Sequence, residues 1–191
     1  IAACEEIYQR FDQPCLFRLP EIFSSQSLIR AFTDAGYVAF DPTHVLGRVI
    51  PPSLELPDGV PVRDLNMPDW LEVRSRVSET PLTGLAYHAR VLGAILPEKV
   101  LMGLFVRDQP VACGMAVLEG ELLGYFSIYT HKAFRRKGYA RAMMAILSQW
   151  GLDKGATYGY LQVEGDNLPA LQLYKQLGFE RVYSYSYWKR G

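Results

Sequence analysis

The sequence predicts a layered α/β protein in which helices cover a β-sheet. Three strand-like runs separated by short turns indicate an antiparallel meander over residues 100–130. The last of these runs leads into a glycine-containing basic loop, an amphipathic helical segment and a further strand-like run at Tyr158–Val163. Helical and strand periodicities therefore alternate along the chain, which is typical of sheets covered by helices.

Hydrophobic periodicity and the residues that interrupt it predict each element in order. The predicted helices are Ala2–Phe11, Ser27–Asp34, Pro68–Ser78, Leu82–Leu96, Ala142–Trp150 and Leu168–Leu177. The predicted strands are Cys15–Leu19, one strand or a strand pair in Tyr37–Ile50, Val100–Arg107, Val111–Leu118, Leu122–Thr130, Tyr158–Val163 and Arg181–Lys189. Gly36 and Gly178 end their helices, and Asp108-Gln109 and Glu119-Gly120-Glu121 form the turns of the meander.

Two segments of the chain resemble each other, which suggests a repeated unit. Residues 27–37 align with residues 169–179, and in both places a helix ends at glycine, an aromatic residue follows and a strand comes next. We therefore predict a partial, degenerate lobe over residues 1–50, a linker rich in Pro and Gly over 51–67, and a complete domain over 68–191. The alternative is that helix, glycine, aromatic residue and strand simply form a common local pattern.

Composition excludes several classes of protein. Of the 191 residues, 49% are hydrophobic and 21% are charged, which predicts a packed core rather than disorder. Because the formal net charge is zero, neither nucleic acid nor a membrane is an expected partner. Cys4, Cys15 and Cys113 are odd in number and lack CxxC spacing, which favours reduced thiols in a cytoplasmic protein without a metal site. The chain begins at Ile1 within a predicted helix, so we expect that residues precede it.

The basic loop, Arg135 to Ala140, is the most informative segment of the chain. It follows a predicted strand and opens a predicted helix, and Arg141 adds a further positive charge. Free backbone N–H groups at a helix N-terminus bind phosphate, and Gly138 lets a ligand oxygen approach the backbone closely. The alternative is a solvated basic turn at the start of a surface helix.

Asn167 and Tyr174 lie seven residues apart on one predicted helix. Seven residues at ~100° each return to nearly the same face, about 10 Å further along the axis. Asn167 is at the N-terminal end, where Asp166 is a competing cap and Pro169 is tolerated. An amide and a phenol therefore point the same way, although a helix cap and a packed tyrosine would explain each of them separately.

Together these features resemble the GNAT (GCN5-related) N-acetyltransferase superfamily across roughly residues 68–191. The resemblance depends on the [Q/R]-x-x-G-x-[G/A] loop at Arg135–Ala140 and on N-x-x-A-x-x-L-Y-x-x-L-G-F at Asn167–Phe179, in the family's order. It implies the GNAT acyl-CoA N-acyltransferase fold, a mixed and mostly antiparallel sheet flanked by helices. Residues 1–50 resemble the partial first lobe of tandem GNAT-like proteins. Phe32 and Ser25 stand there in place of the tyrosine and asparagine, so we expect that lobe to be catalytically silent.

The resemblance implies that acetyl-CoA binds in a V-shaped gap between the strands Leu122–Thr130 and Tyr158–Val163. The implied cofactor-binding residues are Ile128, Tyr129 and Thr130 for the pantetheine amides, Arg135, Arg136, Lys137, Gly138, Tyr139, Ala140 and Arg141 for the pyrophosphate, Asn167 for the pantetheine arm and Tyr174 near the sulfur. The implied reaction is direct transfer of an acetyl group to a primary amine of a small molecule or peptide, by a monomer or homodimer. Tyr174 is the implied general acid.

The general base and the acceptor stay open at this point. Glu119, Glu121, Glu164 and water alone are the alternatives for the base, and acyl-chain preference is equally open. His44, His88 and His131 are scattered along the sequence. His131 lies just before the basic loop, and a surface role is the simpler interpretation for it than a position beside the phosphate. The rival function is a non-catalytic acyl-CoA-binding or sensor module that lacks an amine site.

Overall fold

The computed structural model describes residues 1–54, 59 and 61–191. The part of the predicted linker at Glu55–Asp58 and at Val60 lies outside the described residues. The chain forms two compact units. We call Ile1–Gly47 with Gln162–Gly191 the terminal unit, and Arg48–Leu161 the central unit.

Helices and strands alternate along the chain much as the periodicity predicts. The α-helices are α1 Ala2–Gln9, α2 Gln26–Asp34, α3 Met67–Ser78, α4 Ala86–Ala94, α5 Tyr139–Leu152 and α6 Leu168–Gln176. The strands are β1 Phe17–Pro20, β2 Tyr37–Val49, β3 Val62–Asp64, β4 Glu98–Val106, β5 Gln109–Glu119, β6 Leu122–Thr130, β7 Tyr158–Glu164 and β8 Glu180–Arg190. Short 3-10 helices occupy Glu21–Phe23, Leu82–Leu85 and Lys132–Phe134. Among the described helices, none combines the length and the apolar character that a membrane span requires.

The central unit contains a mixed sheet in the order β3-β4-β5-β6-β7. β3 to β6 pair antiparallel, and β6 pairs parallel with the first residues of β7, from Leu122 with Tyr158 to Tyr125 with Leu161. Side chains alternate along β5: Cys113 packs with Trp70 of α3, whereas a Cβ at Gly114 would meet Met143 of α5. Helices α3 and α5 therefore cover opposite faces of this sheet.

The terminal unit has β8 between β1 and β2, with both pairs antiparallel. An aromatic cluster forms its core, in which Phe32, Tyr37 and Trp188 are buried and Phe17 packs edge-on against Phe32 at 4.8 Å. Edge-on aromatic pairs of this kind add stability beyond the area they bury. Phe32 is therefore a core residue of the terminal unit.

The predicted fold class, a mixed and mostly antiparallel sheet flanked by helices, is confirmed. Two local details differ from the expectation. Val62–Asp64, within the predicted linker, forms β3, and Leu82–Leu96 divides into a 3-10 turn followed by α4. Of the two alternatives for Tyr37–Ile50, the structure has the single strand, Tyr37–Val49, with Asp41 at φ +47°. The interpretation of residues 1–50 as a degenerate lobe stays a prediction.

Candidate active site

The basic loop has the backbone geometry of an anion-binding turn. Arg136 and Gly138 have positive φ, +58° and +86°, and Gly138 is the residue before α5. No side chain caps this helix, and the first backbone bond into it runs from Ala142 N–H to the Gly138 carbonyl, 2.9 Å. Among the described residues, the N–H groups of residues 136–140 therefore have no hydrogen-bond acceptor. Successive free N–H groups around a left-handed residue form a concave donor set that suits phosphate.

The residues before the loop hold it in place. Lys132 and His131 both contact the carboxylate of Glu79 at the end of α3, at 2.8 Å and 3.5 Å. The hydrogen bond from Lys132 lowers the pKa of Glu79, and the charges of its basic neighbours add to that effect. Phe134 lies between the rings of His131 and Tyr139, 5.8 Å and 6.2 Å away. These contacts fix the position of the residues that lead into the loop.

The cationic side chains of the loop stay on the surface. Arg135, Arg136, Lys137 and Arg141 are exposed. Arg135 Nε donates to the Thr130 carbonyl at 3.4 Å, which draws this side chain back along β6. The loop therefore concentrates positive charge on a chain whose formal net charge is zero, and an anionic ligand would gain from both the helix end and the side chains.

A β-bulge interrupts β6 next to its end. Cys113 pairs with Tyr129 and Met115 pairs with Phe126, so Gly114 alone faces Ser127 and Ile128. Ser127 has φ +51°. A bulge bends its strand and takes the extra residue out of the ladder. We refer to Ser127 and Ile128 as the bulge.

β6 continues for five residues beyond Tyr125. Within the central unit, Tyr125 is the last residue of β6 that pairs with β7, and its partner is Leu161. This stretch includes Ile128, Tyr129 and Thr130, the residues that the sequence predicts will contact pantetheine. The hydroxyl of Thr130 is buried, and it has no hydrogen-bond partner among the described residues. An extended ligand with amide groups can pair with such a strand edge as an added strand does.

Asn167 and Tyr174 lie on α6 of the terminal unit. Asn167 is the cap of α6: its side-chain oxygen accepts from Ala170 N–H at 3.3 Å, which leaves its amide NH₂ as a donor. Tyr174 is buried, its ring centroid is 5.9 Å from that of Phe179, and burial raises its pKa to about 12. The phenol is therefore a stable proton donor, not a phenolate, at neutral pH.

The carboxylates considered as bases differ in their surroundings. Glu121 accepts a hydrogen bond from Thr157 Oγ1 at 2.9 Å, so this carboxylate has a structural role. Glu119 pairs with Leu122 at the start of β6, and five residues at ~3.3 Å each separate that end from the bulge by roughly 17 Å. Glu164 is the exposed last residue of β7, in the terminal unit.

Sequence reasoning missed a polar group beside the bulge. His88 Nε2 lies 3.4 Å from Ser127 Oγ, and the His88 ring stacks on Trp70 with centroids 6.0 Å apart. Burial lowers the pKa of His88, and the neighbouring charge of Arg74 lowers it further. Arg74 itself lies with its guanidinium carbon 3.6 Å from the centre of the Tyr129 ring.

The sequence pattern does single out one of these residues, Arg74. Trp70, Val73, Arg74 and Val77 share the buried face of α3 at helical spacing, so a charged residue stands at a core position. His88 left no comparable signal, because only the bulge brings Ser127 to it.

Comparisons with known proteins identify the family of this chain. The model of the Acetyltransferase (GNAT) family matches residues 60–179. A curated relative, the "Uncharacterized N-acetyltransferase YobR" of Bacillus subtilis (strain 168), is 28% identical over 92 residues, 48% of this chain and 37% of the relative. The chain thus spans little more than a third of that relative's length.

Solved structures share the fold. A GCN5-related N-acetyltransferase from Kribbella flavida aligns with a TM-score of 0.70 and 16% identity, over 97% of this chain and 72% of that one. A tandem GNAT protein from the clavulanic acid biosynthesis pathway aligns with a TM-score of 0.74 and 13% identity, over 100% of this chain and 68% of that one. At these identities the likeness supports the fold alone. Since the family model covers well over half of the residues, this chain belongs to the GNAT acetyltransferase family.

Proposed function

We propose that the protein is an acetyl-CoA-dependent N-acetyltransferase that acts on a primary amine of a small molecule or peptide. One observation carries the proposal: the uncapped N-terminus of α5, with free N–H groups and exposed basic side chains, directly follows a strand interrupted by a bulge. The loop suits the pyrophosphate of CoA, and the strand end suits its amide-containing arm.

Each part of the cosubstrate has residues that fit it. Arg135, Arg136, Lys137, Gly138, Tyr139, Ala140 and Arg141 would hold the pyrophosphate, and Ile128, Tyr129 and Thr130 would pair with the pantetheine amides. The free NH₂ of Asn167 is a further donor for the arm. Such a set contains both the charge and the directional donors that a nucleotide thioester requires.

The transfer needs two proton movements. The amine nitrogen attacks the thioester carbonyl carbon, so a C–N bond forms, the C–S bond breaks and the CoA thiolate leaves. An amine with a pKa near 10.4 must first lose a proton, and a thiolate with a pKa near 8.5 gains one as it departs. Tyr174, whose phenol is protonated at neutral pH, is the donor in this proposal.

The proton acceptor in the proposal is His88. The imidazole is adjacent to Ser127 of the bulge, and its lowered pKa keeps it in the neutral, basic form at pH 7. Glu119, Glu121, Glu164 and water alone are the alternatives. His88 is favoured over Glu121 because Glu121 accepts a structural hydrogen bond from Thr157. It is favoured over Glu119 because Glu119 is several residues from the bulge, whereas His88 contacts Ser127 within it.

An assay with a panel of amines tests the function. The protein is mixed with acetyl-CoA and each amine in turn, and release of free CoA thiol is measured against a control without amine. Acetyl-CoA should also raise the thermal midpoint, by an amount that grows with its concentration. Thiol release that depends on an amine is expected; its absence across a broad panel would contradict the enzyme.

The rival is a non-catalytic acyl-CoA sensor, for which thermal stabilisation would occur without transfer to any amine. The presence of both Asn167 and Tyr174 on α6 favours the enzyme, because a sensor has no need for a proton donor beside the sulfur. A cytoplasmic location, inferred from the free cysteines, and a monomeric or homodimeric state belong to the same proposal.

A further inference from the structure

Arg74 is a buried cation that has no anionic partner among the described residues. It is 8% exposed, and within that part of the chain its buried Nε and Nη1 atoms have no hydrogen-bond acceptor. No carboxylate among the described residues forms an ion pair with it, although Arg76, two positions further along α3, pairs with Glu72 at 4.0 Å. The helix thus has one arginine placed for solvent and one placed against the sheet.

An unpaired buried charge is costly, and buried charges in proteins are normally paired. An anionic ligand is therefore a candidate partner for Arg74. The Tyr129 ring covers one flat face of the Arg74 guanidinium at 3.6 Å. Stacking compensates part of the desolvation, but it uses the π face and leaves the N–H groups around the edge free to donate. Nη2 is not among the buried atoms that lack a partner, so this edge is the one open to an incoming group.

The neighbours of Arg74 place this edge close to the bulge. Tyr129 follows the bulge directly, and His88 hydrogen bonds to Ser127 within it. Trp70 forms the wall behind His88, and its own indole N–H already donates to the Met102 and Gly114 carbonyls. The environment therefore combines one unsatisfied guanidinium with aromatic walls and lacks an internal anion.

We propose that Arg74 binds a carboxylate carried by the amine acceptor, which makes the acceptor an amino carboxylate such as an amino acid or the free C-terminus of a short peptide. The proposal rests on the function proposed above, since it assigns the acceptor of that reaction. A carboxylate oxygen can accept charge-assisted hydrogen bonds from the N–H groups of Nη2, the guanidinium atom that is open to a ligand.

The first experiment compares matched amines. Glycine, β-alanine, 4-aminobutyrate and 5-aminovalerate are each paired with the alkylamine of the same length, and kcat/KM is measured from thiol release. We expect at least one amino carboxylate to exceed its alkylamine by about 30-fold or more, because truncating one partner of a buried charge pair has effects of this size. Arg74→Gln should abolish the preference, mainly through KM, and leave the affinity for CoA unchanged.

Arg76→Gln is the matched control, because Arg76 lies on the same helix with its side chain 69% exposed. It should keep the preference. If the Gln variant at position 74 does not fold, Arg74→Lys keeps the charge but loses the planar donor pair, and the preference should fall about tenfold. Equal rates on both members of every pair, or an unchanged preference in the folded Arg74 variant, would overturn the proposal.

The second experiment measures binding without catalysis. Sodium propionate is titrated into the protein at constant ionic strength, and the pKa of His88 is followed by NMR. Neutralising Arg74 should bring this pKa back up towards its ordinary value in the parent protein, and Arg74→Gln should not respond to propionate. An equal response to chloride would show a simple anion site and overturn the carboxylate assignment.

The two experiments separate the two hypotheses. Propionate binding through Arg74 without acetylation of any amine would retain the anion site and reject the acetyltransferase. Acetylation of plain amines without preference for carboxylates would retain the acetyltransferase and reject the role of Arg74.

Discussion

At the scale of single residues, the protonation state of His88 decides whether it can serve as a base. Burial lowers its pKa first, and the charge of Arg74 adds to this. The folded protein therefore binds fewer protons at this site than the unfolded chain does between the two pKa values. The contribution of neutral His88 to stability is complete above the ordinary pKa of about 6.5 and decreases as pH falls below it.

The pH dependence of turnover tests this role. We expect kcat/KM to fall on the acid side with an apparent pKa below about 6.5, because protonated His88 cannot accept a proton. His88→Gln should reduce kcat and remove this limb of the profile. His44→Gln is the control, since His44 bonds to Ser184 in the terminal unit, 2.8 Å away. An unchanged acid limb in His88→Gln would return the role to a carboxylate or to water.

Tyr174 allows an equally direct substitution. Tyr174→Phe keeps the buried ring beside Phe179 and deletes only the donor. We expect kcat to fall about 10²-fold, within the range for loss of one general acid, with little change in CoA affinity. Turnover equal to that of the parent would remove Tyr174 from the acid role.

Tyr185→Phe is the control for this substitution. Tyr185 is another buried tyrosine of the terminal unit, and its hydroxyl donates to Gln162 at 2.7 Å. Loss of that bond should lower the free energy of unfolding by about 1 kcal/mol without a comparable loss of kcat.

At the scale of elements, the conformation of the basic loop requires glycine where the chain enters α5. Gly138 has φ +86°, and a Cβ there would meet no heavy atom within 4 Å. A side chain at this position would therefore be strained by the backbone and would block an approaching ligand, but it would not clash with the protein.

A pair of glycine substitutions separates these two effects. Gly138→Ala and Gly155→Ala should each lower the free energy of unfolding by about 1–2 kcal/mol, because both glycines have strongly positive φ and open space around them. Only Gly138→Ala should also reduce the stabilisation by acetyl-CoA in a thermal-shift titration. Equal stabilisation of both variants would place the pyrophosphate elsewhere.

Periodicity predicted the longer elements well, because their pattern depends on local burial. β6 was predicted with its observed bounds, and the helix after the basic loop was predicted as Ala142–Trp150, whereas α5 extends from Tyr139 to Leu152. β3 was missed because three residues carry no period and form a strand only by pairing with Leu104, Gly103 and Met102 of β4. The bulge was missed for the same reason, since it is a mismatch between two strands and not a property of either one.

At the scale of the whole molecule, the sequence predicted the family and the class of reaction but not the acceptor. The motifs that identify the family form the loop and α6, whereas Arg74 and His88 are contributed by α3 and α4. Their neighbours become visible only when the helices pack on the sheet. Specificity within a shared fold is expected to depend on such contacts.

Thiol reactivity provides a probe of the folded molecule. Burial raises the pKa of Cys113 to about 12, and its side chain is fully buried in the central unit, whereas Cys4 is exposed. Since only the thiolate reacts, an alkylating reagent should modify Cys4 at once and Cys113 only when the central unit unfolds. Mass spectrometry after timed quenching measures both rates.

Acetyl-CoA at saturating concentration should slow the modification of Cys113, because it reduces the population of the unfolded form. The rate at Cys4 serves as the internal control and should not change. Rapid modification of Cys113 in the native protein would mean that the face of β5 towards α3 opens readily.

Because Ser127 is an inserted residue in β6, deleting it should change the bulge without changing the packing of the sheet. Phe126 packs with the cluster around Trp70 and Ile128 faces Gly114 on the opposite side, so Ser127 interrupts an alternation that would otherwise be regular. A variant that lacks Ser127 would keep each apolar side chain of β6 on the face of the sheet that it occupies now. We expect this variant to pair regularly with β5 along the whole of β6 and to lose the proposed acetyl transfer. It would then serve as an inactive control in a search for the natural acceptor.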